Sequence, residues 1–519
     1  MTCVDHNSKM KMYVTSIFFI IIGIIFTIIG MILVLTWPSL FDYILHNQLS
    51  LTPGSKTFKM WQKNPIPLYL DFYFYNWTNA NELKNPNVKP NFEQIGPYRF
   101  KEEKFKVNIT WNSNDTVSFK QQRYWYFVPE ESNGALEDVI TTINVVAVTA
   151  AFQTRYEGYF TQQGLSLTLS AIADLTVDRS ISQLLFEGYE DPLINMAKTM
   201  ENLQHLEIPP YDKFGWFYER NGTRDFDGVF NMGTGEEDPT DFGVLKNWNF
   251  NSRTRFYKNE CSMVNGSAGE FWPINPEPTE ITLFSNDLCR SITYEYEKNV
   301  SVEGLNGYKF TAGDKLMDNG TMYPENKCFC NGECVPSGSV NASACRYGAP
   351  AFVSFPHFYN ADLSYTNKIE GMHPQKKKHS FYITLEPKTG IPLDVAARLQ
   401  INILLQPFEH VALFRNVPKL FIPVLWFEQK ARISPDMAND LKQLLSIPEI
   451  GCYVNWGMLS FGLLILLIVI LNFYINYKSE DKAEKMISRW GQNGTHRQMI
   501  KTGELPTANG VKSASIYTE

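Results

Sequence analysis

The sequence carries little charge and no excess of positive charge. Charged side chains make up 19% of the 519 residues, and 54 acidic residues outnumber 47 basic ones, which gives a formal net charge of −7. A protein that binds nucleic acid needs a basic surface, so this balance argues against a nucleic-acid partner. With 44% hydrophobic residues, the chain is apolar enough to bury a sizeable core.

Motifs that mark common enzymes are also missing. The sequence contains no G-x-S-x-G nucleophile elbow, H-E-x-x-H zinc motif, P-loop or G-x-G-x-x-G phosphate loop. Its eight histidines are scattered, and none stands at the spacing of a metal site or a catalytic triad. We therefore expect a protein that is not an enzyme and that needs neither a cofactor nor a metal ion.

The sequence does contain two long apolar segments. Residues 13–35 and residues 453–476 contain no charged side chain. At about 1.5 Å per residue, a helix over residues 13–35 would be about 35 Å long, enough to cross a hydrocarbon core of about 30 Å. The alternative for the first segment is a cleaved signal peptide, which has a shorter apolar region followed by small residues, whereas Thr36, Trp37 and Pro38 follow here. Both segments are predicted to be transmembrane helices.

Positive charge flanks both predicted spans on the side of the chain termini. Lys9 and Lys11 precede the first span, and Lys478, Lys482 and Lys485 follow the second. Because cytosolic flanks collect lysine and arginine, this bias predicts two cytosolic tails and an extracellular domain between the spans. The predicted organisation is a tail over residues 1–12, a span over 13–35, an ectodomain over 36–452, a span over 453–476 and a tail over 477–519.

Glycosylation sequons support an extracellular location for the segment between the spans. Eight N-x-S/T sites lie in it, whereas a ninth, at Asn493, falls in the predicted cytosolic tail and should stay unmodified. The predicted glycan carriers are Asn76, Asn108, Asn114, Asn221, Asn265, Asn299, Asn319 and Asn341.

Cysteine placement agrees with an oxidising compartment. Six of the eight cysteines lie in residues 261–345, and an even cluster there predicts three disulfides, for which spacing alone allows 15 pairings. The alternative, a metal site at Cys328, Cys330 and Cys334, lacks a clean pair of ligand knuckles. Of the remaining two, Cys3 beside the first span is a candidate palmitoylation site, with an unmodified cytosolic thiol as the alternative, and Cys452 lies at the membrane edge.

The ectodomain sequence alternates between strand and helix patterns. Runs of aromatic and aliphatic residues predict strands over residues 68–77, 117–128, 380–385, 399–405 and 421–427. Apolar residues at steps of three and four predict a helix over residues 136–151. A second helix is predicted from Thr176, a good N-cap, to Asp191, where Pro192 would stop it. This helical insertion over residues 135–195 is a candidate recognition cap, and ordinary packing helices are the alternative.

Seven short strings, spread in order over the chain, identify a family resemblance. They are residues 95–100 (IGPYRF), 187–192 (EGYEDP), 231–235 (NMGTG), 288–290 (LCR), 356–358 (PHF), 386–390 (EPKTG) and 398–402 (RLQIN). With two terminal spans around a glycosylated ectodomain, the sequence resembles the class B scavenger receptors, the family of platelet glycoprotein four (fatty acid translocase) and insect croquemort. Within this family, the sequence resembles the croquemort-like members in particular.

The resemblance implies a fold and a disulfide pattern. The expected fold is α+β: an ectodomain with an antiparallel β-barrel-like core, short helices, a helical apex and a hydrophobic tunnel, flanked by two terminal transmembrane helices. The family pattern, laid on these positions, implies the pairs Cys261–Cys328, Cys289–Cys345 and Cys330–Cys334.

It also implies a function. We expect a plasma-membrane receptor for lipid-bearing ligands (lipoproteins, fatty acids, anionic phospholipid on apoptotic cells or microbes) that passes lipid toward the membrane, and a homo-oligomer is compatible with this role. The alternative is an intracellular, lysosomal trafficking receptor of the same fold. The C-terminal tail has no acidic dileucine and no usable tyrosine sorting signal, which favours the plasma membrane.

Candidate ligand contacts lie between the two predicted helices. Aromatic side chains there offer apolar contact beside a cation that suits a phosphate or carboxylate, although they could equally be core residues of the cap. The candidates are Phe152, Arg155, Tyr156, Tyr159 and Phe160. The lysine-rich patch of the mammalian fatty acid translocase is replaced by residues 171–174 (AIAD), so lipoprotein binding by that route is not expected.

Overall fold

The computed structural model describes residues 2–85, 87–199 and 210–498, with side chains described in residues 10–85, 87–197 and 210–489. The chain divides into two compact units. One comprises Met1–Asp42 and Leu445–Glu519, and the other comprises Tyr43–Leu444. Cys3 and Asn493 are outside the described side chains.

The helices are mostly short, apart from one at each end of the chain. They are α1 (Thr2–Leu49), α2 (Lys56–Gln62), α3 (Val145–Gln153), α4 (Tyr159–Ile172), α5 (Pro192–Thr199), α6 (Asp314–Met317), α7 (Leu363–Thr366), α8 (Lys376–His379) and α9 (Pro435–Gln498).

The strands account for most of the larger unit. They are β1 (Leu68–Trp77), β2 (Phe92–Trp111), β3 (Thr116–Phe127), β4 (Val139–Ile143), β5 (Thr176–Ser180), β6 (Tyr189–Glu190), β7 (Lys213–Phe214), β8 (Val229–Gly233), β9 (Leu245–Trp248), β10 (Glu280–Ser285), β11 (Arg290–Val302), β12 (Leu305–Thr311), β13 (Ser339–Asn341), β14 (Ala351–Ser354), β15 (Tyr382–Leu385), β16 (Pro392–Leu405) and β17 (Leu420–Arg432).

In the smaller unit, α1 and α9 pack through glycines. A Cβ placed on Gly30 would lie 2.7 Å from the backbone nitrogen of Leu459, and one on Gly462 would lie 2.6 Å from the backbone nitrogen of Thr27. Small residues of this kind let two membrane helices approach closely. Met10–Leu49 and Pro435–Arg489 are long and apolar enough to cross a membrane, judged by length and composition. A candidate span therefore coincides with each apolar segment of the sequence.

The larger unit is built on one antiparallel sheet of 13 strands. Eleven of them follow the order β10-β11-β12-β15-β16-β17-β1-β2-β3-β8-β9, and β14 pairs with β16 and with β13. The two ends of this order nearly close on each other through Ser267, which bridges Val244 beside β9 and Leu283 in β10. Closure protects strand edges that would otherwise expose unpaired backbone groups. The expected α+β fold with an antiparallel, barrel-like sheet is confirmed.

The central strand β1 has the bounds predicted from its aromatic run. Phe72 and Phe74 are fully buried and belong to one core cluster, while Tyr75 and Trp77 are buried in another. A strand covered on both faces reads as a nearly continuous apolar run rather than as an alternating one. The long run of large rings is therefore the signature of a strand with core on both sides.

One row of charged side chains crosses four neighbouring strands of this sheet. Arg99 on β2 contacts Asp71 on β1 with Nε and Nη2 each 2.6 Å from a carboxylate oxygen. Asp71 lies opposite Glu428 on β17, and Nε of Arg398 on β16 donates to Glu428 at 2.7 Å. Asp71 is 1% exposed and Glu428 is 4% exposed. Each buried carboxylate thus has its own arginine on the next strand outward.

The helices predicted over residues 136–151 and 176–191 are wrong in part. Residues Val139–Ile143 form β4, which pairs with β5 (Thr176–Ser180), because the β-branched run Val-Ile-Thr-Thr-Ile favours a strand. Only the second half of the first segment is helical, as α3. Pro192 begins α5 rather than ending a helix, which suits a residue without an N–H at the first helical position.

The six clustered cysteines form three disulfides in the structure. Cys261 bonds Cys328 and Cys289 bonds Cys345, both with Cα atoms 5.9 Å apart, and Cys330 bonds Cys334 with Cα atoms 4.7 Å apart. These are the pairs that the family resemblance implies. The tight third loop includes Asn331 and Gly332, both with positive φ.

Candidate functional site

The candidate ligand contacts lie on α3, α4 and the turn between them. Asn144 caps α3, because its side-chain oxygen accepts a hydrogen bond from the backbone N–H of Ala147 at 3.0 Å. The buried face of α3, including Val148 and Ala151, packs into the largest core cluster of the unit. A 3₁₀ turn at Thr154–Tyr156 then leads into α4. The apolar face of α3 therefore anchors the segment that presents α4.

Helix α4 is apolar on the side that faces solvent. Ser166 and Leu169 are its buried residues, whereas Phe160, Gly164, Leu167 and Ala171 are exposed. These four positions are separated by steps of four, three and four, so they share one face of the helix. Phe160 is 88% exposed and Leu167 is 74% exposed. We call these four residues the outer face of α4.

Two tyrosines and an arginine adjoin the start of this outer face. Tyr156 is 84% exposed and Tyr159 is 56% exposed, and the Tyr159 ring lies 5.7 Å from the ring of Phe160. The Arg155 guanidinium stacks over Phe152 at 3.5 Å and over Tyr156 at 4.5 Å from the ring centroids. Stacking on two rings holds the cation beside the exposed aromatic side chains.

One predicted ligand contact is wrong. Phe152 is only 5% exposed and belongs to the core cluster that α3 enters, so it cannot offer an apolar surface to a ligand. Arg155 is half-buried, while Tyr156, Tyr159 and Phe160 reach solvent. Leu167 was missed because no helix was predicted over the polar residues 161–170 (TQQGLSLTLS), which lie inside α4. The spacing of seven residues between Phe160 and Leu167, which is two helical turns, was the available signal.

A polar cluster around two buried histidines, unforeseen in the sequence, surrounds the family string at residues 356–358. Nε2 of His357 lies 2.7 Å from Oε1 of Gln94, which also accepts a hydrogen bond from the Trp426 indole at 2.8 Å. The ring of His379 stacks on that of His357 with centroids 4.5 Å apart. Burial is the main cause that lowers the pKa of His357 to about 3 and that of His379 to about 4. Both rings are therefore neutral at neutral pH.

The predicted glycan sites differ in their access to solvent. Asn108, Asn114, Asn221, Asn265 and Asn299 are exposed, and Asn76 and Asn319 are half-buried. Asn341 is 9% exposed, its Nδ2 donates to the carbonyl of Cys330, and its Oδ1 accepts from the N–H of Ser343. A glycan needs this amide in solvent, so Asn341 is the least accessible of the eight predicted sites.

The basic run Lys376–His379 is a short helix, and its members have different surroundings. Nζ of Lys376 lies 2.8 Å from Oε1 of Glu297, whereas His379 is buried against Trp426. Half of this run is therefore engaged within the fold. The outer face of α4, with Arg155, is the better candidate for a ligand surface.

Comparison with known proteins gives the family. The model of the CD36 family matches residues 21–473. Protein peste of Drosophila melanogaster is 37% identical over 450 residues, which cover 86% of this chain and 80% of that protein. Scavenger receptor class B member 1 of Cricetulus griseus is 32% identical over 456 residues (87% and 88%), and lysosome membrane protein 2 of Homo sapiens is 31% identical over 428 residues (81% and 86%). The resemblance to class B scavenger receptors is confirmed, and this chain, with an apolar helix at each end, is a two-pass membrane protein of the CD36 family.

Proposed function

We propose that this protein is a cell-surface scavenger receptor that captures lipid-bearing ligands on the outer face of α4 and passes lipid toward the membrane through a tunnel in its ectodomain. The observation that carries the proposal is that α4 turns its apolar side chains toward solvent. Helices on the surface of a soluble domain normally do the opposite, and an exposed apolar patch rimmed by polar residues marks an interaction site.

The chemistry of this surface suits a lipid. Burying one Phe or Leu side chain contributes about 1.5–3 kcal/mol, so Phe160 and Leu167 together offer several kcal/mol to an apolar ligand. The Arg155 guanidinium beside Tyr156 supplies a positive charge for a phosphate or carboxylate headgroup. The expected ligands are lipoproteins, fatty acids and anionic phospholipid on apoptotic cells or microbes.

Transfer of lipid from this surface needs no catalytic group. A 16-carbon chain that enters water loses about 0.8 kcal/mol per methylene, or about 12 kcal/mol in all, and a dry conduit removes most of this barrier. The physical task is therefore shielding rather than bond making. We propose a receptor without enzymatic activity.

The proposed location is the plasma membrane, with both termini in the cytosol, an N-glycosylated ectodomain outside and a palmitoylated Cys3. The lysine bias around the spans and the exposed sequons support this orientation. Lysosome membrane protein 2 is a relative whose name places it in another compartment. Surface biotinylation with lysosomal co-staining separates the two locations, and a purely lysosomal pool would contradict the proposal.

The test of ligand capture introduces a negative charge on the outer face of α4. Phe160→Asp and Leu167→Asp are expected to lower uptake of fluorescent fatty acid and phosphatidylserine vesicles about tenfold, since each removes an apolar contact of about 1.5 kcal/mol or more. Thr161→Asp is the matched control, because it adds the same charge at an exposed position one residue off this face. Uptake is compared at equal surface density of receptor.

Two outcomes would contradict the proposal in different ways. If both aspartate variants take up ligand as well as wild type, the outer face of α4 is not the capture surface. If wild type adds nothing over untransfected cells, the protein is not a receptor for these ligands.

A further inference from the structure

A small cleft lies at the end of the sheet formed by β3, β8 and β9. It encloses about 300 Å³. Its lining is uncharged and consists of amides and hydroxyls together with two apolar side chains, Val229 and Phe250. The polar residues are Asn112, Asn114, Thr116, Ser118, Asn231 and Asn247.

The polar residues of the cleft form a hydrogen-bonded row. Nδ2 of Asn112 and Nδ2 of Asn231 each donate to the hydroxyls of Thr116 and Ser118, at 2.9–3.1 Å. Nδ2 of Asn247 donates to Oδ1 of Asn231 at 3.4 Å. The row fixes these groups in place, and an amide or hydroxyl can serve both as donor and as acceptor. Thr116 is buried, so a ligand at this neutral, ordered surface would meet the amides of Asn112, Asn231 and Asn247 and the Ser118 hydroxyl.

Phe250 is held above the cleft in a costly conformation. It is 82% exposed, and both Asn249 and Phe250 have positive φ, at 50° and 65°. They form a two-residue turn closed by the bridge between Trp248 and Asn251. A turn with positive φ at both central residues favours glycine at the second, so a phenylalanine there carries backbone strain and an exposed ring together. Strain of this kind persists where the surroundings or a ligand compensate for it.

Asn114, one wall of the cleft, is itself a glycosylation sequon. It is exposed, and the Thr116 hydroxyl donates to its Oδ1 at 2.8 Å. This bond fixes the plane of the amide whose Nδ2 carries the sugar in an N-glycan. The first N-acetylglucosamine would therefore start at the cleft wall, with hydroxyls and an acetamide for the polar row and an apolar C–H face for an aromatic ring.

We infer that the cleft is the seat of the protein's own Asn114 glycan, whose core N-acetylglucosamine stacks on Phe250 and hydrogen-bonds the amides and hydroxyls of the row. The inference rests on the proposed orientation of the ectodomain, because Asn114 is glycosylated only on the lumenal or extracellular side of the membrane. It adds an intramolecular sugar-binding site, distinct from the outer face of α4. The seated glycan covers the exposed ring and compensates for the strain of the turn.

The test measures how fast peptide N-glycosidase releases each glycan from the native, full-length protein in detergent, with glycopeptide mass spectrometry as the readout. Asn299, exposed on β11, is the internal control site. Phe250→Gly removes the ring while relieving the positive-φ strain, so it does not destabilise the turn. It is expected to speed release at Asn114 about two- to tenfold, the range that one aromatic contact supplies, and to leave Asn299 unchanged. Phe250→Tyr keeps the ring and should keep slow release.

Several results would overturn the inference. An unchanged rate at Asn114 in Phe250→Gly would show that the ring does not hold the sugar. An unoccupied Asn114, with the other exposed sequons glycosylated, would remove the ligand while leaving the proposed receptor topology intact. The same cleft chemistry suits a foreign sugar, so chitobiose binding is compared by saturation-transfer NMR in wild type and Asn114→Gln. Stronger binding to Asn114→Gln supports the inference, and equal binding would assign the cleft to sugars from elsewhere.

Discussion

The central sheet buries charged side chains, whereas helix α4 exposes apolar side chains to solvent. The sheet buries Asp71 and Glu428 almost completely and pairs each with an arginine on a neighbouring strand. Helix α4 instead exposes Phe160 and Leu167 to solvent. In the sheet, folding itself compensates for a costly placement. On α4 the cost persists in the folded chain, and we propose that a lipid ligand offsets it.

This contrast separates residues that hold the fold from residues that remain available for binding. A buried ion pair is often no more stabilising than an apolar pair of the same size, but removing one partner leaves an uncompensated charge. An exposed apolar side chain can be removed with little effect on folding. Four predictions test the comparison, from the largest expected effect to the smallest.

The largest effect is expected from Asp71→Ala. It leaves the Arg99 guanidinium, whose pKa is raised chiefly by its hydrogen bond to Asp71, without its main partner. Loss of one member of a buried pair costs about 3–5 kcal/mol, and we expect a lower thermal midpoint and poor delivery to the surface. Thermal unfolding of the full chain in detergent measures this. Asp174→Ala, at an exposed position, is the control, and an equal midpoint for both variants would contradict the comparison.

The second-largest loss of stability is expected from Phe152→Ala, which tests where the core ends and the exposed surface begins. Phe152 and Phe160 are both close to Arg155 in sequence, but only Phe152 is in the core. Truncation of a buried phenylalanine costs about 3–5 kcal/mol, with the lower part of that range expected beside the half-buried Arg155. The thermal midpoint should fall clearly. If the midpoint does not fall, Phe152 is not a core residue and is again a candidate ligand contact.

An intermediate effect is expected from acid, through the polar cluster at His357. The pKa of His357 is lowered to about 3 by burial, while in the unfolded chain it is about 6.5. Between these values the unfolded chain binds more protons than the folded chain, so stability falls as pH falls below about 6.5. The loss between pH 7 and pH 5 is about 2 kcal/mol for this residue.

His357→Gln is the variant for this test, because it cannot titrate and retains a polar side chain near Gln94. Thermal midpoints are measured from pH 7 to pH 5 for wild type and variant. The variant should show a flatter profile, while the Trp426 hydrogen bond to Gln94 is available in both proteins. An identical slope would assign the acid sensitivity to other groups.

Much of the sheet was predictable from the sequence because its strands are local runs of aromatic and aliphatic residues. The aromatic run at residues 68–77 has the bounds of β1, and residues 399–405 and 421–427 lie inside β16 and β17. The part of β16 that was not predicted, residues 392–398, contains Asp394 and Arg398, and charged residues of this kind are more typical of loops. Arg398 is accommodated because Glu428 lies opposite on β17, 30 residues away along the chain, and because its Nη1 donates to the carbonyl of Ser380 at 2.7 Å. Cross-strand pairing of this kind is invisible to a local pattern.

The candidate site was only partly predictable, for a different reason. Residues 136–151 contain apolar steps that suit a helix, yet Val139–Ile143 pairs with β5, so tertiary pairing overrides the local signal. The aromatic character of the site was predictable from Tyr156, Tyr159 and Phe160. Which of two similar phenylalanines is buried depends on how α3 packs, and the exposure of Leu167 depends on the orientation of α4. Neither is a property of the local sequence.

The smallest effect on stability is expected from Phe160→Ala, and it completes the comparison with Phe152→Ala. Phe160 is 88% exposed, so its truncation should change the free energy of unfolding by no more than about 0.5 kcal/mol. The same change removes a ring that would bury against lipid, so vesicle binding should fall about tenfold while the thermal midpoint stays. A drop in both vesicle binding and the thermal midpoint would mean that the ring packs within the fold. The outer face of α4 would then stabilise the protein, as the sheet does. If vesicle binding and the thermal midpoint are both retained, the outer face of α4 does not bind the lipid ligand that we propose for it.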